Sequence, residues 1–349
     1  MILLKKRLQK VRKAIKLSKA QAMLVTSVHN VRYLSGFTGS ECWLLITEKE
    51  NIFFGDFRYR LQAQKELGSI FKMVLIEGNV FSLLKSVLNQ RKIHSVNFEA
   101  KHITYEQYYN LKTALGEKIR LCASKDIIEQ LRMIKSQEEL NYIRKAVSIT
   151  RKSLRQLKPW IKPGVSEFFL KNKLDEMLKT NGASGPAFDT IVASGPNAAM
   201  PHARTTMRKI GKNDPVIIDV GADYKGYKSD LTRTFFSGKI TQYVRHYKLL
   251  ATAQDRAIKL IRPQGEIQKI DQIAREVLNN AGLGQYFGHA LGHGVGLEVH
   301  EKPYISGKSK QRFIAGMVFT VEPGVYIPDS GGIRIEDMVL VTRKGYEVL

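Results

Sequence analysis

Cysteine and long hydrophobic runs are scarce in this sequence. Its 349 residues include two cysteines, Cys42 and Cys122, each among apolar neighbours, and two are too few for a disulfide framework. We therefore predict two buried, unpaired thiols and a cytoplasmic protein. No apolar run approaches the roughly 20 residues of a membrane-spanning helix, so no membrane partner is expected.

Acidic residues are outnumbered by basic ones. The chain has 56 Lys and Arg residues against 32 Asp and Glu residues, and its formal net charge of +24 is spread over both halves. Such a charge attracts nucleic acid without selecting a base sequence. The sequence lacks a helix-turn-helix pattern, a zinc finger and a basic stripe interleaved with aromatic residues. We favour a solvated, lysine-rich surface and expect no specific nucleic-acid partner.

The first 20 residues, MILLKKRLQKVRKAIKLSKA, contain no acidic residue. Leu4, Leu8, Val11 and Ile15 recur at helical spacing, which predicts an amphipathic helix that packs on the domain behind it. A transit peptide is the less favoured alternative. A secretory signal is not expected, because no apolar segment with a cleavage site follows.

The length of the chain and a change of pattern near residue 125 predict two domains. Residues 1–124 alternate short strand patterns with helical patterns, which is typical of an α/β domain with a mostly parallel or mixed sheet. Residues 125–349 open on a long helical region, in which Ser136 followed by Glu139 resembles a capping box. Strands and turns follow later, so we predict an α+β second domain.

The stretch IIDVGADYKGYKSD, residues 217–230, places Asp219 and Asp230 on either side of a turn. In a hairpin centred between Tyr224 and Lys225, the two carboxylates would stand directly opposite, with their Cβ atoms about 5 Å apart. Like charges at that distance repel each other. A structural interpretation needs a Lys or Arg partner between them, and a functional interpretation needs a metal ion.

A second candidate hairpin repeats this arrangement. Glu322 and Glu336 are equally spaced about Asp329 in the turn sequence IPDSGG. Pro323 directly follows Glu322 and makes the strand pairing less regular there. Asp219 and Glu322 both follow apolar runs, which is uncommon for solvated surface carboxylates, so the two pairs together favour one buried acidic site.

Three of the eight histidines, His289, His293 and His300, fall in GHALGHGVGLEVHE between the two pairs. The glycines of this stretch allow tight turns that bring imidazoles close to one centre. The pattern is not the HExxH zinc motif. Four carboxylates with one or two imidazoles form a hard, oxygen-rich donor set, which favours Mn²⁺ and carries enough charge for two divalent ions.

A family resemblance covers nearly the whole chain. Its motifs are NVRYLSGFTGS with DFRY, FDTIVASGPNAAMPHAR, DVGADYKGYKSDLTRTF, GHGVGLEVHE, and TVEPGVYIP followed by GGIRIED. On these motifs the sequence closely resembles the creatinase, prolidase and aminopeptidase P family, the pita-bread metallopeptidases. The resemblance implies a creatinase-like α/β N-terminal domain over residues 1–124 and a pita-bread α+β catalytic domain over residues 125–349.

The resemblance also implies a set of metal ligands. Asp219 matches the terminal ligand of one metal ion, whereas His293 and Glu322 match ligands of the other. Asp230 and Glu336 match the carboxylates that bridge both ions. Two divalent ions are therefore expected, with Mn²⁺ favoured and Co²⁺ or Zn²⁺ as the alternatives.

Other residues match positions around the family's substrate. His202 matches the residue near the leaving side of the substrate. His289 and His300 match the residues that steady the substrate carbonyl and the tetrahedral intermediate. Arg334 matches the arginine that braces the metal carboxylates, and Glu322 is implied to accept the proton of the attacking water.

The implied reaction is hydrolysis of the peptide bond before proline, in short peptides with proline at the second position. Prolidases hold the C-terminal carboxylate of a dipeptide with an Arg soon after the HE motif. Tyr304 stands at that place here, although Arg312 in the following loop is a candidate substitute. We therefore favour an Xaa-Pro aminopeptidase, with an Xaa-Pro dipeptidase as the alternative. A non-catalytic peptide- or nucleic-acid-binding module is the remote alternative, because such relatives lose the metal ligands.

The resemblance finally implies a homodimer in which the first domain limits access to the active site. The motif SGFTGS carries part of this expectation, although it supplies no metal ligand. A simpler interpretation is that Gly36 and Gly39 only provide the special backbone angles of a local turn. Both interpretations can hold together.

Overall fold

The computed structural model of the chain describes residues 2–239 and 241–349. The chain divides into two compact units, Met1–Arg132 and Met133–Leu349. Residues 125–132, which the sequence predicts to open the second domain, thus lie in the first unit. The predicted limits of the domains stay a prediction.

Hydrogen bonds explain why the end of the first unit lies after residue 125. The helix Ile127–Arg132 carries Glu129, whose carboxylate accepts a hydrogen bond from the Asn30 amide at 2.6 Å. Arg132 donates to the Asn30 carbonyl oxygen at 2.8 Å, and its side chain is buried. The helix therefore packs into the first unit through polar contacts that periodicity does not reveal.

The first unit is a mixed β-sheet with helices. Its elements in chain order are α1 (Ile2–Leu17), β1 (Ala22–Val25), α2 (Val28–Ser35), β2 (Trp43–Thr47), β3 (Asn51–Gly55), α3 (Arg60–Leu67), β4 (Lys72–Leu75), α4 (Val80–Gln90), β5 (Ser95–Glu99), α5 (Tyr105–Leu115), β6 (Arg120–Ser124) and α6 (Ile127–Arg132). The strand order is β4-β3-β2-β1-β5-β6, and the β1·β2 and β2·β3 pairs are antiparallel while the others are parallel. The predicted α/β class is confirmed.

Helix α1 buries one apolar stripe, as its spacing predicts. Leu8, Val11 and Ile15 are buried along this helix. Cys42 is buried and Cys122 is only partly buried, and both thiols are free. Cys122 lies on β6, which is an edge strand of the sheet, so one of its flanks has no neighbouring strand to cover it.

The second unit groups helices and short sheets. Its elements in chain order are α7 (Gln137–Leu157), α8 (Glu167–Thr180), β7 (Gly185–Pro186), β8 (Ile191–Ser194), β9 (Pro215–Val220), β10 (Ala222–Tyr224), β11 (Tyr227–Lys228), β12 (Leu231–Phe236), α9 (Thr241–Lys259), α10 (Ile267–Asn280), β13 (Gly292–Gly294), β14 (Glu301–Ile305), β15 (Val318–Val321), β16 (Gly324–Ile327), β17 (Gly331–Arg334), β18 (Asp337–Val341) and β19 (Tyr346–Val348). The capping box of Ser136 and Glu139 begins α7, as predicted. The α+β class is confirmed.

Two sheets of the second unit carry the predicted acidic residues. One has the order β12-β9-β8, and the other has the order β14-β13-β15-β18-β19. Helices α7 and α8 share one apolar core with β8 and β9, and helices α9 and α10 share another with β15 and β18. No helix among residues 2–239 and 241–349 is both long and apolar enough to cross a membrane.

The first predicted hairpin forms, but its register differs from the prediction. Asp219 pairs with Thr232 and not with Asp230. The cause is the turn, which lies at Lys225 and Gly226, where both residues have positive φ angles of 51° and 82°. The prediction of directly opposite carboxylates was therefore wrong by two residues. Because a two-residue shift keeps the side chain on the same face, both carboxylates still share a face of the hairpin.

The second predicted hairpin has the expected register. Gly324 pairs with Arg334 and Ile327 pairs with Gly331, so the turn is centred on Asp329. The β15·β18 pairing continues the same register beyond the interruption at Pro323. The predicted placement of Glu322 opposite Glu336 is therefore consistent with the strands on both sides of them.

Candidate active site

Four carboxylates from the two hairpins line one cavity of about 310 Å³ in the second unit. Asp219 lies in β9, Asp230 precedes β12, Glu322 follows β15, and Glu336 lies between β17 and β18. Asp230 and Glu336 are buried, and the other two are partly buried. The cavity is lined by Phe188, Ile191, Pro201, His202, Asp219, Asp230, His289, Ala290, Gly292, His293, Val299, His300, Tyr304, Glu322, Arg334 and Glu336.

His293 projects from the short strand β13 toward these carboxylates. Its Nε2 lies 3.3 Å from Glu322 Oε1 and 3.6 Å from Asp230 Oδ2. Its Nδ1 lies 3.2 Å from the Gly294 carbonyl oxygen, which favours a proton on Nδ1 and leaves Nε2 as a donor atom for a cation. Burial is the largest single influence on the pKa of His293 and lowers it, but the hydrogen bond with Glu322, the charge of Glu322 and contacts with backbone carbonyls together raise this pKa overall.

Mutual repulsion dominates the electrostatics of the cavity. Burial, followed by the charges of Glu336 and Asp219, raises the pKa of Asp230 well above its usual value. Burial and the charges of Glu322 and Asp219 raise the pKa of Glu336 in the same way. Burial is the largest single influence on the pKa of Glu322 and raises it, but the hydrogen bond with His293 and the nearby positive charges together lower this pKa overall. Without a cation, Asp230 and Glu336 therefore hold their protons to higher pH than ordinary carboxyls do.

Metal-free protein should lose stability as the pH rises. Asp230 and Glu336 have higher pKa values in the folded chain than in the unfolded chain, where carboxyls titrate near about pH 4. The folded state therefore binds more protons, and the free energy of unfolding falls as the pH rises from about 4 through the raised pKa values.

Urea unfolding in EDTA at several pH values measures this slope. The variant Glu336→Gln removes one of the two titrating groups and should reduce the slope, which separates this site from other ionisable groups. Added Mn²⁺ should reduce this loss of stability with rising pH, because a metal ion binds deprotonated carboxylates and stabilises the folded state. An equal slope in wild type and Glu336→Gln would contradict the raised pKa of Glu336.

Arg334 is buried at the floor of the cavity and connects three parts of the unit. Its Nη2 donates to Asp219 Oδ2 at 2.6 Å, and its Nε donates to the Thr232 hydroxyl at 3.1 Å. Its Nη1 donates to the Tyr326 hydroxyl at 2.8 Å and to the Pro201 carbonyl oxygen at 3.2 Å. Arg334 therefore holds one carboxylate directly, and Tyr326 joins this network although the sequence carries no signal of the contact.

The side chains of the cavity fit a divalent metal. Asp219 Oδ1 is buried and has no hydrogen-bond partner among the residues that the structure describes. A buried polar atom without a partner costs about 1–3 kcal/mol, and a bound cation removes that cost. One ligand atom each of Asp230, His293 and Glu336 lie within 4.8 Å of one another. Carboxylate oxygens with one imidazole are the donors of a hard divalent ion.

Two threonines that the sequence analysis did not single out hold the acidic residues in place. Thr232 donates to Glu336 Oε2 at 2.7 Å, and Thr320 donates to Glu322 Oε1 at 3.0 Å. Thr232 stands two residues after Asp230, and Thr320 stands two residues before Glu322. Because alternate residues of a strand share a face, this spacing is the signal that could have identified them.

The three histidines expected near the substrate all line the cavity, but they differ in exposure and in hydrogen bonding. His289 uses both ring nitrogens, one at 2.8 Å from a backbone carbonyl oxygen and the other at 3.0 Å from the Tyr326 hydroxyl. His202 and His300 are exposed, and the His300 ring lies 4.2 Å from the ring of His293. Their roles toward a substrate stay predictions.

Arg312, the candidate substitute for a carboxylate-binding arginine, does not line this cavity. It donates to the Gln264 carbonyl oxygen at 2.8 Å and lies 3.5 Å from Glu266. These contacts hold its side chain against the loop that precedes α10, so they do not support Arg312 as the substitute for the missing arginine, and that suggestion stays a prediction. Tyr304 does line the cavity and is 55% exposed.

A larger cavity of about 1000 Å³ lies in the first unit. It is lined mostly by basic and polar side chains from α1, the β2–β3 turn and the end of α4. Its two carboxylates are Glu48 and Glu50, and Glu50 forms an ion pair with Arg91 at 2.6 Å. These side chains have the chemistry of a solvated cleft, so cavity size alone does not locate the active site.

Comparison with known proteins supports the assignment of this cavity. Residues 141–343 match the model of metallopeptidase family M24, and residues 7–134 match the creatinase/prolidase N-terminal domain. The Xaa-Pro dipeptidase of Pyrococcus furiosus is 34% identical over 345 residues, which cover 98% of this chain and 97% of that protein.

Solved structures agree with the sequence matches. The Xaa-Pro dipeptidase from Bacillus anthracis superimposes with a TM-score of 0.95 and 34% identity, covering 99% of this chain and 97% of that one. The X-Pro aminopeptidase from Thermotoga maritima superimposes with a TM-score of 0.88 and 33% identity, covering 96% and 97%. M24 metallopeptidases use a dinuclear divalent metal centre, and the carboxylate–histidine cluster lies within the matched residues. The chain therefore belongs to metallopeptidase family M24 and has a pita-bread catalytic domain behind a creatinase/prolidase N-terminal domain.

Proposed function

We propose that this metallopeptidase is an Xaa-Pro aminopeptidase, which hydrolyses the bond before proline in short peptides with proline at the second position. One observation carries the choice of aminopeptidase. Arg334 is the only Lys or Arg among the residues that line the cavity in the described structure, and it is engaged with Asp219 and Tyr326. Among the described lining residues, no lysine or arginine is therefore left to hold the C-terminal carboxylate of a dipeptide.

We assign the metal ligands by the family pattern. Asp219 would hold one ion, His293 and Glu322 would hold the other, and Asp230 and Glu336 would be shared by both. The short distances around His293 and the raised pKa values of the two proposed bridging carboxyls support this assignment. Mn²⁺ suits the oxygen-rich donors, with Co²⁺ or Zn²⁺ as alternatives. Held by these residues, two such ions would lower the pKa of a bound water and stabilise negative charge on the substrate carbonyl.

The protein's own groups supply proton transfer and orientation. Glu322 accepts the proton of the attacking water, and its lowered pKa keeps it deprotonated near neutral pH. His300 donates a hydrogen bond to the substrate, His289 adds to its orientation, and His202 lies on the leaving side. Arg334 keeps Asp219 in place through its 2.6 Å hydrogen bond.

The ability to cleave before proline is explained by the missing amide hydrogen. The bond before proline has no N–H, so a peptidase that binds this group handles such substrates poorly. A site that acts on the carbonyl side alone has no such requirement. The cluster of carboxylates offers the free amino group of the substrate a partner of opposite charge, which is the property of an exopeptidase.

A comparison of two substrates tests the proposal. Protein loaded with Mn²⁺ should show a higher kcat/KM for an Xaa-Pro-Xaa tripeptide than for the matching Xaa-Pro dipeptide. A preference for the dipeptide would favour the alternative, an Xaa-Pro dipeptidase. The names of the Pyrococcus furiosus and Bacillus anthracis proteins support that alternative. No cleavage of either peptide would contradict both.

Tyr304→Arg should shift the preference toward dipeptides. The new guanidinium would lie at the cavity lining and bind the C-terminal carboxylate, and a charge-assisted hydrogen bond that is partly exposed is worth roughly tenfold in KM. The ratio of dipeptide to tripeptide kcat/KM is the quantity to measure. Tyr304→Phe is the matched control and should leave the ratio unchanged. An unchanged ratio in Tyr304→Arg would show that Tyr304 does not face the substrate's C-terminal side.

The proposal includes a homodimer in a reducing compartment, the cytoplasm. The free thiols of Cys42 and Cys122 support this compartment. A mass of about twice 39.6 kDa by light scattering would support the dimer, and a mass equal to one chain would contradict it.

A further inference from the structure

We propose that a buried ion pair between Lys135 and Glu301 positions His300, so that both are positioning residues of the active site. Lys135 Nζ lies 3.0 Å from Glu301 Oε2, and the two side chains are 1% and 5% exposed. Glu301 directly follows His300 in the chain. The inference rests on the proposed function, in which His300 contacts the substrate.

The carboxylate of Glu301 organises the backbone that leads to His300. Its Oε1 accepts a hydrogen bond from the Glu298 N–H at 3.1 Å. A Cβ atom at Gly296 would lie 2.6 Å from Oε2, so the glycine backbone packs directly against the carboxylate. The Gly296 carbonyl oxygen in turn accepts from the Lys228 N–H at 2.8 Å. Residues 296–301 therefore fold around the Glu301 carboxylate.

The other end of the ion pair is fixed independently. The Lys135 N–H donates to the Gly316 carbonyl oxygen at 2.9 Å, and Ile134 forms a bridge with Met317. Ser136 then begins α7 with its capping box. The ammonium group thus projects from a well-held backbone, and the ion pair connects the segment 296–301 to the start of α7.

His300 depends on this backbone more than the other histidines do. His289 has partners at both ring nitrogens, and His293 Nδ1 lies 3.2 Å from a carbonyl oxygen. Among the described residues, the ring of His300 has no hydrogen-bond partner, although it packs 4.2 Å from His293. Its direction is therefore set by its own backbone, which Glu301 holds.

Stability alone does not account for a charged pair at this place. Well-packed apolar side chains of similar volume often stabilise a protein as much as a buried ion pair or more. An apolar residue at position 301 could not accept the Glu298 N–H or pull the segment toward Lys135. The geometry points to the placement of the His300 imidazole as the contribution of this ion pair.

A double-mutant cycle tests whether Glu301 acts through His300. The proteins are wild type, Glu301→Gln, His300→Ala and the double variant, each loaded with Mn²⁺ and assayed with an Xaa-Pro-Xaa peptide. We expect Glu301→Gln to lower kcat about tenfold, with KM and metal content changed less than about twofold. In the His300→Ala background the same change should lower kcat by less than about twofold. If the kcat losses of the two single variants multiply in the double variant, the proposal is overturned. Loss of one full metal equivalent in Glu301→Gln would overturn it as well.

Glu347→Gln is the matched control for the loss of an ion pair in the same unit. Glu347 pairs with Arg144 of α7 at 2.7 Å, is half exposed, and does not line the cavity. We expect this variant to keep wild-type kcat. A tenfold loss of kcat in Glu347→Gln would show that any weakening around α7 lowers activity, and would overturn the specific role of Glu301.

A measurement on metal-free protein tests position without activity. The imidazole Cε1–Hε1 signal of His300, identified by its absence in His300→Ala, should shift in Glu301→Gln and stay unchanged in Glu347→Gln. The shorter Glu301→Asp keeps the buried charge and should also shift the signal. An unmoved signal in both Glu301 variants, or failure of both to fold, would overturn the positioning role. Wild-type activity of His300→Ala would instead refute the proposed role of His300, whatever the signal shows.

Discussion

Asp230→Ala is expected to abolish peptidase activity and to leave the fold intact. We expect kcat to fall about a thousandfold or more, because several kcal/mol of transition-state stabilisation would depend on the cations that we propose this carboxylate helps to hold. The fold should persist, because removing one of four close carboxylates relieves repulsion in the metal-free protein. The measurements are kcat for an Xaa-Pro-Xaa peptide at saturating Mn²⁺ and the circular dichroism spectrum. Glu336→Ala should behave in the same way.

A carboxylate of the same hairpin provides the control. Asp223 forms an ion pair with Lys228 and accepts a hydrogen bond from the Gly226 N–H, and it does not line the cavity. Asp223→Asn should therefore keep activity within about twofold, since surface changes have small effects. Normal activity of metal-replete Asp230→Ala would contradict the two-metal assignment.

Arg334→Met is expected to reduce both stability and activity. The substitution removes the cation that holds Asp219, and breaking a buried ion pair costs about 3–5 kcal/mol in free energy of unfolding. We expect kcat to fall roughly a hundredfold, because residues that orient metal ligands typically carry effects of that size. Urea unfolding of metal-free protein and kcat at saturating Mn²⁺ are the measurements. The loss of stability should be smaller with Mn²⁺, since bound cations replace the missing charge.

Arg312→Met separates this effect from the loss of an arginine in general. Arg312 is largely exposed and contacts Gln264 and Glu266, so its removal should change the free energy of unfolding by less than about 0.5 kcal/mol. If Arg334→Met were as stable and active as Arg312→Met, then Arg334 would not brace Asp219.

The spacing of the acidic residues about each predicted turn gave the correct strand register for one hairpin and a register wrong by two residues for the other. The pairing of Gly324 with Arg334 follows from a turn centred on Asp329. For Asp219 the decisive feature was the turn at Lys225 and Gly226, where two successive positive φ angles shift the centre by one residue. Turn type therefore decides register, and a non-glycine residue with positive φ is hard to foresee from sequence.

The hydrogen-bond network behind the proposed metal ligands could not be predicted from local patterns. Arg334 contacts Asp219 across 115 positions of sequence and Pro201 across 133. Tyr326 joins Arg334 to His289 through a single hydroxyl. Such contacts arise only when three segments pack together, and neither hydrophobic period nor spacing encodes them.

The limit between the units shows the same difficulty. Helical periodicity near residue 125 predicts the start of the second domain there, and this limit stays a prediction, while α6 belongs to the first compact unit of the structure. Its attachment depends on Asn30, which binds both Glu129 and Arg132. Periodicity identified a helix, and buried polar pairing determined the unit to which that helix belongs.

Titration of metal-free wild-type protein with Mn²⁺ tests the central claim most directly. Activity toward an Xaa-Pro-Xaa peptide and bound metal, measured by mass spectrometry after gel filtration, are followed together. The proposed ligand set predicts that activity rises from near zero and reaches its maximum when two equivalents are bound per chain. Full activity in EDTA-treated protein without bound metal, or maximal activity with one equivalent, would contradict it.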